Sequence, residues 1–103
     1  MRYIITTTIL LLTTGLKAEK LTIYTYDSFV SDWGPGPIIE KKFEETYQID
    51  LDLIAVDSAS TLLNKVILER SNTKADIVLG LDMNLFNAAE QSNLFTTHSV
   101  NNI

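Results

Sequence analysis

An aromatic and acidic cluster precedes a Gly-Pro-Gly-Pro turn early in the chain. Tyr26, Asp27 and Ser28 are followed by Trp33, and the turn occupies residues 34–37. An aromatic face attracts a cation by roughly 0.5–2 kcal/mol, and a neighbouring carboxylate adds charge of the right sign. Proline fixes φ and glycine permits angles closed to other residues, so this bend is stiff. The cluster therefore predicts a rigid loop that faces a flat, positively charged ligand.

The same residues also allow purely structural interpretations. Trp33 could plug the core beneath a strand-to-helix turn, and Tyr26 could be a half-buried core tyrosine. Asp27 and Asp32 could in principle act as acid and base. The chain has no cysteine and a single histidine, His98, so a metal site or a Ser-His-Asp triad has too few partners. We therefore predict no catalytic residue, no metal and no cofactor.

Strands and helices alternate along the rest of the sequence. The first strand is rich in β-branched and aromatic residues, and an apolar run at 77–79 is typical of a central parallel strand. Asn84 is expected to cap a short third helix. The predicted strands are 21–26, 49–56 and 77–79, and the longer predicted helices are about 37–46 and a second that ends near residue 71. One face of the first helix carries Ile38, Ile39, Phe43 and Tyr47.

This order predicts an α/β fold, with a parallel sheet and flanking helices joined by right-handed crossovers. Ligands of such sheets bind beyond the carboxyl ends of the strands. Three polar segments fall at that edge, residues 27–37, 57–60 and 80–84. The second contains Asp57, Ser58 and Ala59, and the third contains Asp82. We expect these segments to form one binding edge.

Residues 1–18 have the layout of a secretory signal peptide, with Arg2 before an uncharged apolar stretch and Ala18 at the cleavage point. The alternative is an uncleaved membrane anchor. Cleavage is expected to leave residues 19–103 as the mature, exported chain. All thirteen acidic residues lie in that part, whereas two of the eight basic ones are removed. This acidic balance argues against a nucleic-acid partner.

Residues 21–29 and 32–37 resemble the start of the periplasmic thiamine-binding proteins of ABC importers. The resemblance continues through 62–64 and 74–82. It implies part of the first lobe of a type 2 periplasmic binding protein, whose two lobes close on thiamine or thiamine phosphates and deliver the ligand to an inner-membrane ABC permease. By similarity, Tyr26 and the segment after the second strand line the cleft.

Two departures from this family qualify the expectation. Ser58-Ala59 stands where the family commonly carries Asp-Gly, with the acid one place earlier at Asp57. A hydroxyl does not replace a carboxylate facing a cation without loss, so affinity or ligand preference is expected to differ. Relatives are also much longer, and residues 19–103 make an incomplete lobe. The alternatives are another solute, such as a polyamine, a phosphorylated compound or a metal complex, and a truncated or split fragment that needs a second polypeptide to complete the cleft. A third alternative is that the protein is an enzyme.

Overall fold

Over residues 19–97, the fold is a parallel three-stranded sheet with helices packed on it. The computed structural model describes residues 19–97, so the predicted signal peptide and His98 lie outside the described residues. The strands are β1 (Lys20–Tyr26), β2 (Asp50–Val56) and β3 (Ile77–Val78), and the helices are α1 (Asp27–Val30), α2 (Gly36–Tyr47), α3 (Ala59–Glu69) and α4 (Phe86–Ser92). Two 3-10 turns span Arg70–Asn72 and Met83–Leu85. The predicted α/β class is confirmed. Within residues 19–97, no helix combines the length and apolar character needed to cross a membrane.

Strand β1 lies in the middle of the sheet, which has the order β2-β1-β3 with both pairings parallel. The ladder to β3 extends beyond its two residues, because the Asp76 amide donates to the Thr22 carbonyl at 2.8 Å and the Leu79 amide donates to the Tyr24 carbonyl at 2.9 Å. The prediction of a central strand at 77–79 is wrong for the described residues. Strand β3 lies at the edge of the sheet. Val78 packs on the core while the side chain of Ile77 is 43% exposed, so this apolar strand is buried on one face only.

The core lies between β1 and α3. Tyr24, Leu62 and Val66 are buried at its centre. Helix α3 begins at Ala59, because the Ser58 hydroxyl oxygen accepts a hydrogen bond from the Thr61 amide at 3.1 Å. The i, i+4 spacing of Leu62 and Val66 then places both side chains on the sheet. This packing fixes the strand whose carboxyl end carries Tyr26.

A polar cluster of Lys65 and Glu69 lies beside the buried Tyr24. The Tyr24 hydroxyl donates to Glu69 Oε1 at 2.8 Å, and Lys65 Nζ lies 3.0 Å from Glu69 Oε2. Lys65 Nζ also lies 5.0 Å from the centre of the Tyr24 ring. The hydrogen bond from Tyr24, followed by that from Lys65, lowers the pKa of Glu69 below its ordinary value. The cluster therefore favours an ionised Glu69.

The lowered pKa of Glu69 predicts a loss of stability in acid. A carboxyl whose pKa is lower in the folded state stabilises the fold above its unfolded pKa, and that contribution disappears as the pH falls through the folded pKa. Tyr24→Phe removes the main cause of the shift. We expect wild type to exceed Tyr24→Phe in urea midpoint at pH 7, with the gap narrowing at about pH 3. Both proteins share every other carboxyl, so an equal gap at both pH values would contradict this role.

Helix α2 covers the opposite face of the sheet. Pro37 lies in its first turn, and Glu44 Oε2 accepts a hydrogen bond from the Leu51 amide at 2.9 Å, which ties the helix to β2. The predicted apolar face exists, but Ile38 is 74% exposed and Tyr47 61%. Within the described residues this face therefore lies largely outside the packed core.

Thr25 of β1 carries a buried hydroxyl that has no hydrogen-bond partner among the residues that the structure describes. An unpaired buried polar atom is destabilising because it loses its bonds to water. We expect Thr25→Val to raise the free energy of unfolding by about 1 kcal/mol, measured by urea denaturation. Thr25→Ser keeps the hydroxyl and is the matched control. A Val variant no more stable than wild type would show that the hydroxyl is satisfied.

Candidate ligand-binding site

The carboxyl ends of the three strands lie at one edge of the sheet. Tyr26, the last residue of β1, is paired with Val56, the last residue of β2, and β3 runs in the same direction on the other side. Neighbouring strands are about 4.8 Å apart, so the segments that leave them are adjacent. The segment after β1 therefore lies between those after β2 and β3.

The segment after β1 starts with a short helix, where the sequence predicts a loop. Asp27 and Ser28 form the exposed first turn of α1, directly after Tyr26. The chain then turns back, because the Gly34 amide donates to the Ser31 carbonyl at 2.9 Å. Four residues are too few to show a helical period, so this helix could not be recognised from the sequence pattern. Asp27 and Ser28 are placed at the edge by it.

Trp33 projects from the turn between α1 and α2. Its side chain is 80% exposed, which makes the core-plug interpretation wrong. Gly34 and Gly36 are the buried residues of this turn, and the backbone carbonyls of α1 occupy the space that their side chains would take. The close backbone approach explains both the glycines and the outward position of Trp33.

The segment after β2 leaves one free carboxylate. Asp57 is exposed, whereas the Ser58 hydroxyl is engaged at the start of α3 through its bonds to the Thr61 amide and hydroxyl. Ala59, the first residue of α3, is half-buried and carries no polar group. Asp57 is thus the charged group that this segment offers to a ligand.

The segment after β3 is organised by Gly80 and Asp82. Asp82 Oδ1 accepts a hydrogen bond from the Asn84 amide at 3.0 Å and so caps the 3-10 turn that leads into α4. The prediction that Asn84 is the cap is wrong, because Asp82 has the extended backbone that a cap requires and Asn84 lies inside the turn. Asp82 remains exposed at the edge of the sheet.

Tyr26 is half-buried between neighbours from two segments. Its ring lies edge-to-face with Phe29 of α1, at 6.3 Å between centroids and 62° between planes. On another side it meets Gly80, which has φ +115°. Sequence reasoning did not single out Phe29 or Gly80. A glycine directly after a strand is the signal that could have indicated a close approach.

The electrostatic character of this edge is acidic. Asp27, Asp57 and Asp82 follow the three strands in turn, and the three segments contain no lysine or arginine. Across residues 19–97, no three acidic or histidine side chains converge closely enough to hold a metal ion. The arrangement can therefore attract an organic cation, and Tyr26 and Trp33 can contact its flat surface.

Two of the grooves in residues 19–97 include residues of this edge. The larger, about 700 Å³, runs along the charged face of α2 and reaches this edge only at Pro37. The other, about 630 Å³, is lined by Gly80 and Leu81 together with Phe86 and Phe95. The second groove adjoins the acidic edge, so it is the concave surface nearest to the candidate site.

Comparison with known proteins shows that this chain is similar to part of several thiamine-binding periplasmic proteins. The chain is 51% identical over 82 residues to the thiamine-binding periplasmic protein of Salmonella typhimurium, which covers 80% of this chain and 25% of that protein. The corresponding protein of Escherichia coli is 50% identical over 80 residues, and that of Haemophilus influenzae 41% over 83 residues. No protein-family model matches the chain.

A solved structure agrees with these sequence matches. A periplasmic thiamin binding protein superposes with a TM-score of 0.72 at 49% identity, over 77% of this chain and 25% of that one. The chain thus spans about a quarter of the length of the relatives it matches. The resemblance noted in the sequence is confirmed at the level of fold and of residue identity. Over its matched residues, this chain is a homologue of part of the thiamine-binding periplasmic proteins.

Proposed function

We propose that this chain forms part of the first lobe of a periplasmic solute-binding protein that takes up thiamine or thiamine phosphates and passes them to an ABC permease. The observation that carries this proposal is the 51% identity to a protein named for thiamine binding. The acidic, aromatic edge supports it independently. In this proposal the chain binds and delivers its ligand and catalyses no reaction.

The chemistry of thiamine suits the residues at the edge. Its thiazolium ring carries a permanent positive charge, and its pyrimidine ring is flat and aromatic. A cation of this kind gains energy from an aromatic face and from nearby carboxylates. The proposed binding residues are Tyr26, Asp27, Ser28, Trp33, Asp57, Ser58, Ala59 and Asp82. Since the Ser58 hydroxyl already caps α3, Asp57 supplies the charge in the second segment.

The proposal includes export and a partner. Residues 1–18 serve as a signal peptide that directs residues 19–103 to the periplasm. The exposed side of α2 and the exposed Ile77 at the sheet edge support a second structural part that completes the lobe and the cleft. That part is either a continuation like that of the longer relatives or a second polypeptide. A fragment that binds nothing without it is the alternative function.

A thiamine titration monitored by tryptophan fluorescence tests the proposal. Trp33 is the sole tryptophan of the chain and is 80% exposed, so its emission reports on the turn beside the site. The protein is expressed as residues 1–103, so that residues 1–18 direct its export, and is purified from the periplasm. Circular dichroism first shows that it is folded. We expect a saturable change with thiamine and none with spermidine, which has charge but no ring, or with ferric citrate.

A folded protein whose emission does not respond to thiamine would exclude binding by this chain alone. Repeating the titration after adding the remaining part of the Salmonella relative then separates the alternatives. Recovery of the response would support a cleft shared with a second part. A response to spermidine in place of thiamine would identify a different solute.

A further inference from the structure

The backbone after β3 is held against the carboxyl end of β1. The Leu79 amide donates to the Tyr24 carbonyl at 2.9 Å, which continues the β1–β3 ladder by one step. The next residue, Gly80, therefore lies beside Tyr26, two residues farther along β1. Its φ of +115° is open to glycine and strained for residues with a side chain. The chain needs this conformation to turn away from the sheet at this point.

Gly80 meets the edge of the Tyr26 ring. A side-chain carbon at Gly80 would overlap ring atoms Cδ1 and Cε1, while Cζ, the next nearest atom, would be 3.6 Å away. If this carbon lay above the face of the ring, it would be nearly equidistant from several ring atoms. It is instead close to two atoms only, so Gly80 contacts the edge of the ring. Phe29 contacts the same ring from α1, with its plane inclined at 62°. Two segments thus restrain one aromatic side chain.

We infer that Gly80 is a positioning residue for the ligand site, and that together with Phe29 it fixes the Tyr26 ring in the orientation that receives a flat cationic ligand. This inference rests on the proposed function. Gly80 itself offers no group for a ligand, since it acts through the ring that it abuts. The glycine is required twice, once for its positive φ and once for the space that the Tyr26 ring occupies.

A ring that is fixed before binding has a thermodynamic advantage. Immobilising a side chain on binding costs conformational entropy, and restraint in the free protein removes part of that cost. A side chain at Gly80 would push the ring to another rotamer or move the segment that carries Asp82. Either change would separate the aromatic face from the carboxylates of the edge.

The test compares Gly80→Ala with Gln48→Ala. Gln48 also has a positive φ, 59°, but it lies at the end of α2 and already carries a side chain, so Gln48→Ala controls for an alanine at a positive-φ position away from the site. Two readouts are taken on the chain exported from the whole sequence: the ¹⁹F signal of 3-fluorotyrosine placed at position 26, and the Kd for thiamine measured on the unlabelled proteins. We expect Gly80→Ala to shift the ¹⁹F signal and raise Kd about five-fold or more, since the ring is displaced. Gln48→Ala should leave both as in wild type.

The two readouts distinguish the inference from the function on which it rests. A wild-type chain that does not bind thiamine would count against the proposed function, and the ¹⁹F signal alone would then decide the role of Gly80. An unshifted ¹⁹F signal in folded Gly80→Ala would overturn the inference. If Gly80→Ala does not fold, Phe29→Leu removes the other restraint and keeps the glycine. An unshifted signal in Phe29→Leu would then overturn the inference, and a shifted signal would support it.

Discussion

Tyr26→Ala is expected to weaken thiamine binding about ten-fold or more, which corresponds to about 1.4 kcal/mol. The substitution removes the aromatic face, worth roughly 0.5–2 kcal/mol to a cation. It also removes the ring against which Gly80 and Phe29 pack, so the edge loses its order. The measurement is a thiamine titration followed by Trp33 fluorescence or by calorimetry.

Two further tyrosine variants define the origin of that effect. Tyr26→Phe keeps the ring and should retain most of the affinity if the aromatic face is the important group. Tyr47→Ala is the matched control, because Tyr47 is 61% exposed on α2 and belongs to no segment of the edge. Equal affinity of wild type and Tyr26→Ala would remove Tyr26 from the site.

Gly34→Ala is expected to cost about 3 kcal/mol of folding free energy. An added carbon would overlap the Ser28 carbonyl oxygen and would lie 2.7 Å from the Phe29 carbonyl oxygen. Both obstacles are backbone atoms, so rotation of a side chain cannot relieve the overlap. The turn would have to separate from α1, and Trp33 would move with it.

Urea denaturation monitored by circular dichroism measures this cost. Asp32→Ala serves as the control, because Asp32 is an exposed residue of the same turn and its substitution adds no atom. If Gly34→Ala and Asp32→Ala unfold at the same urea concentration, the close packing of the turn on α1 would be incorrect.

The sequence predicted the elements better than their positions. Strand β1 was identified because it is rich in β-branched and aromatic residues, and helix α3 because an amphipathic pattern follows the capping residues of 57–60. Both signals are local. The place of β3 at the edge depends on its pairing with Ile23 and Tyr24, and no local pattern encodes such a distant pairing. The prediction of a central strand therefore rested on composition alone.

In the candidate site, too, the features set by local pattern could be predicted and those set by distant contacts could not. The three edge segments could be named in advance, because the strand-helix alternation determines which ends of the strands face a ligand. The exposure of Trp33 could not be anticipated, since it results from the packing of Gly34 and Gly36 on α1. The contact between Gly80 and Tyr26 joins residues far apart in sequence, so it too required the structure.

The central place of β1 has a consequence for the order of folding. Among residues 19–97 this strand comes first, yet both of its neighbours come later, and the bond between the Thr22 amide and Asp76 spans 54 residues. Long-range parallel pairings form slowly, since the intervening chain must close before any contact offsets the lost entropy. The ladder to β3 also brings Gly80 and Asp82 to Tyr26. The proposed binding edge is thus completed only when β3 docks, and a chain arrested before that step would have β1 and β2 paired but an incomplete edge.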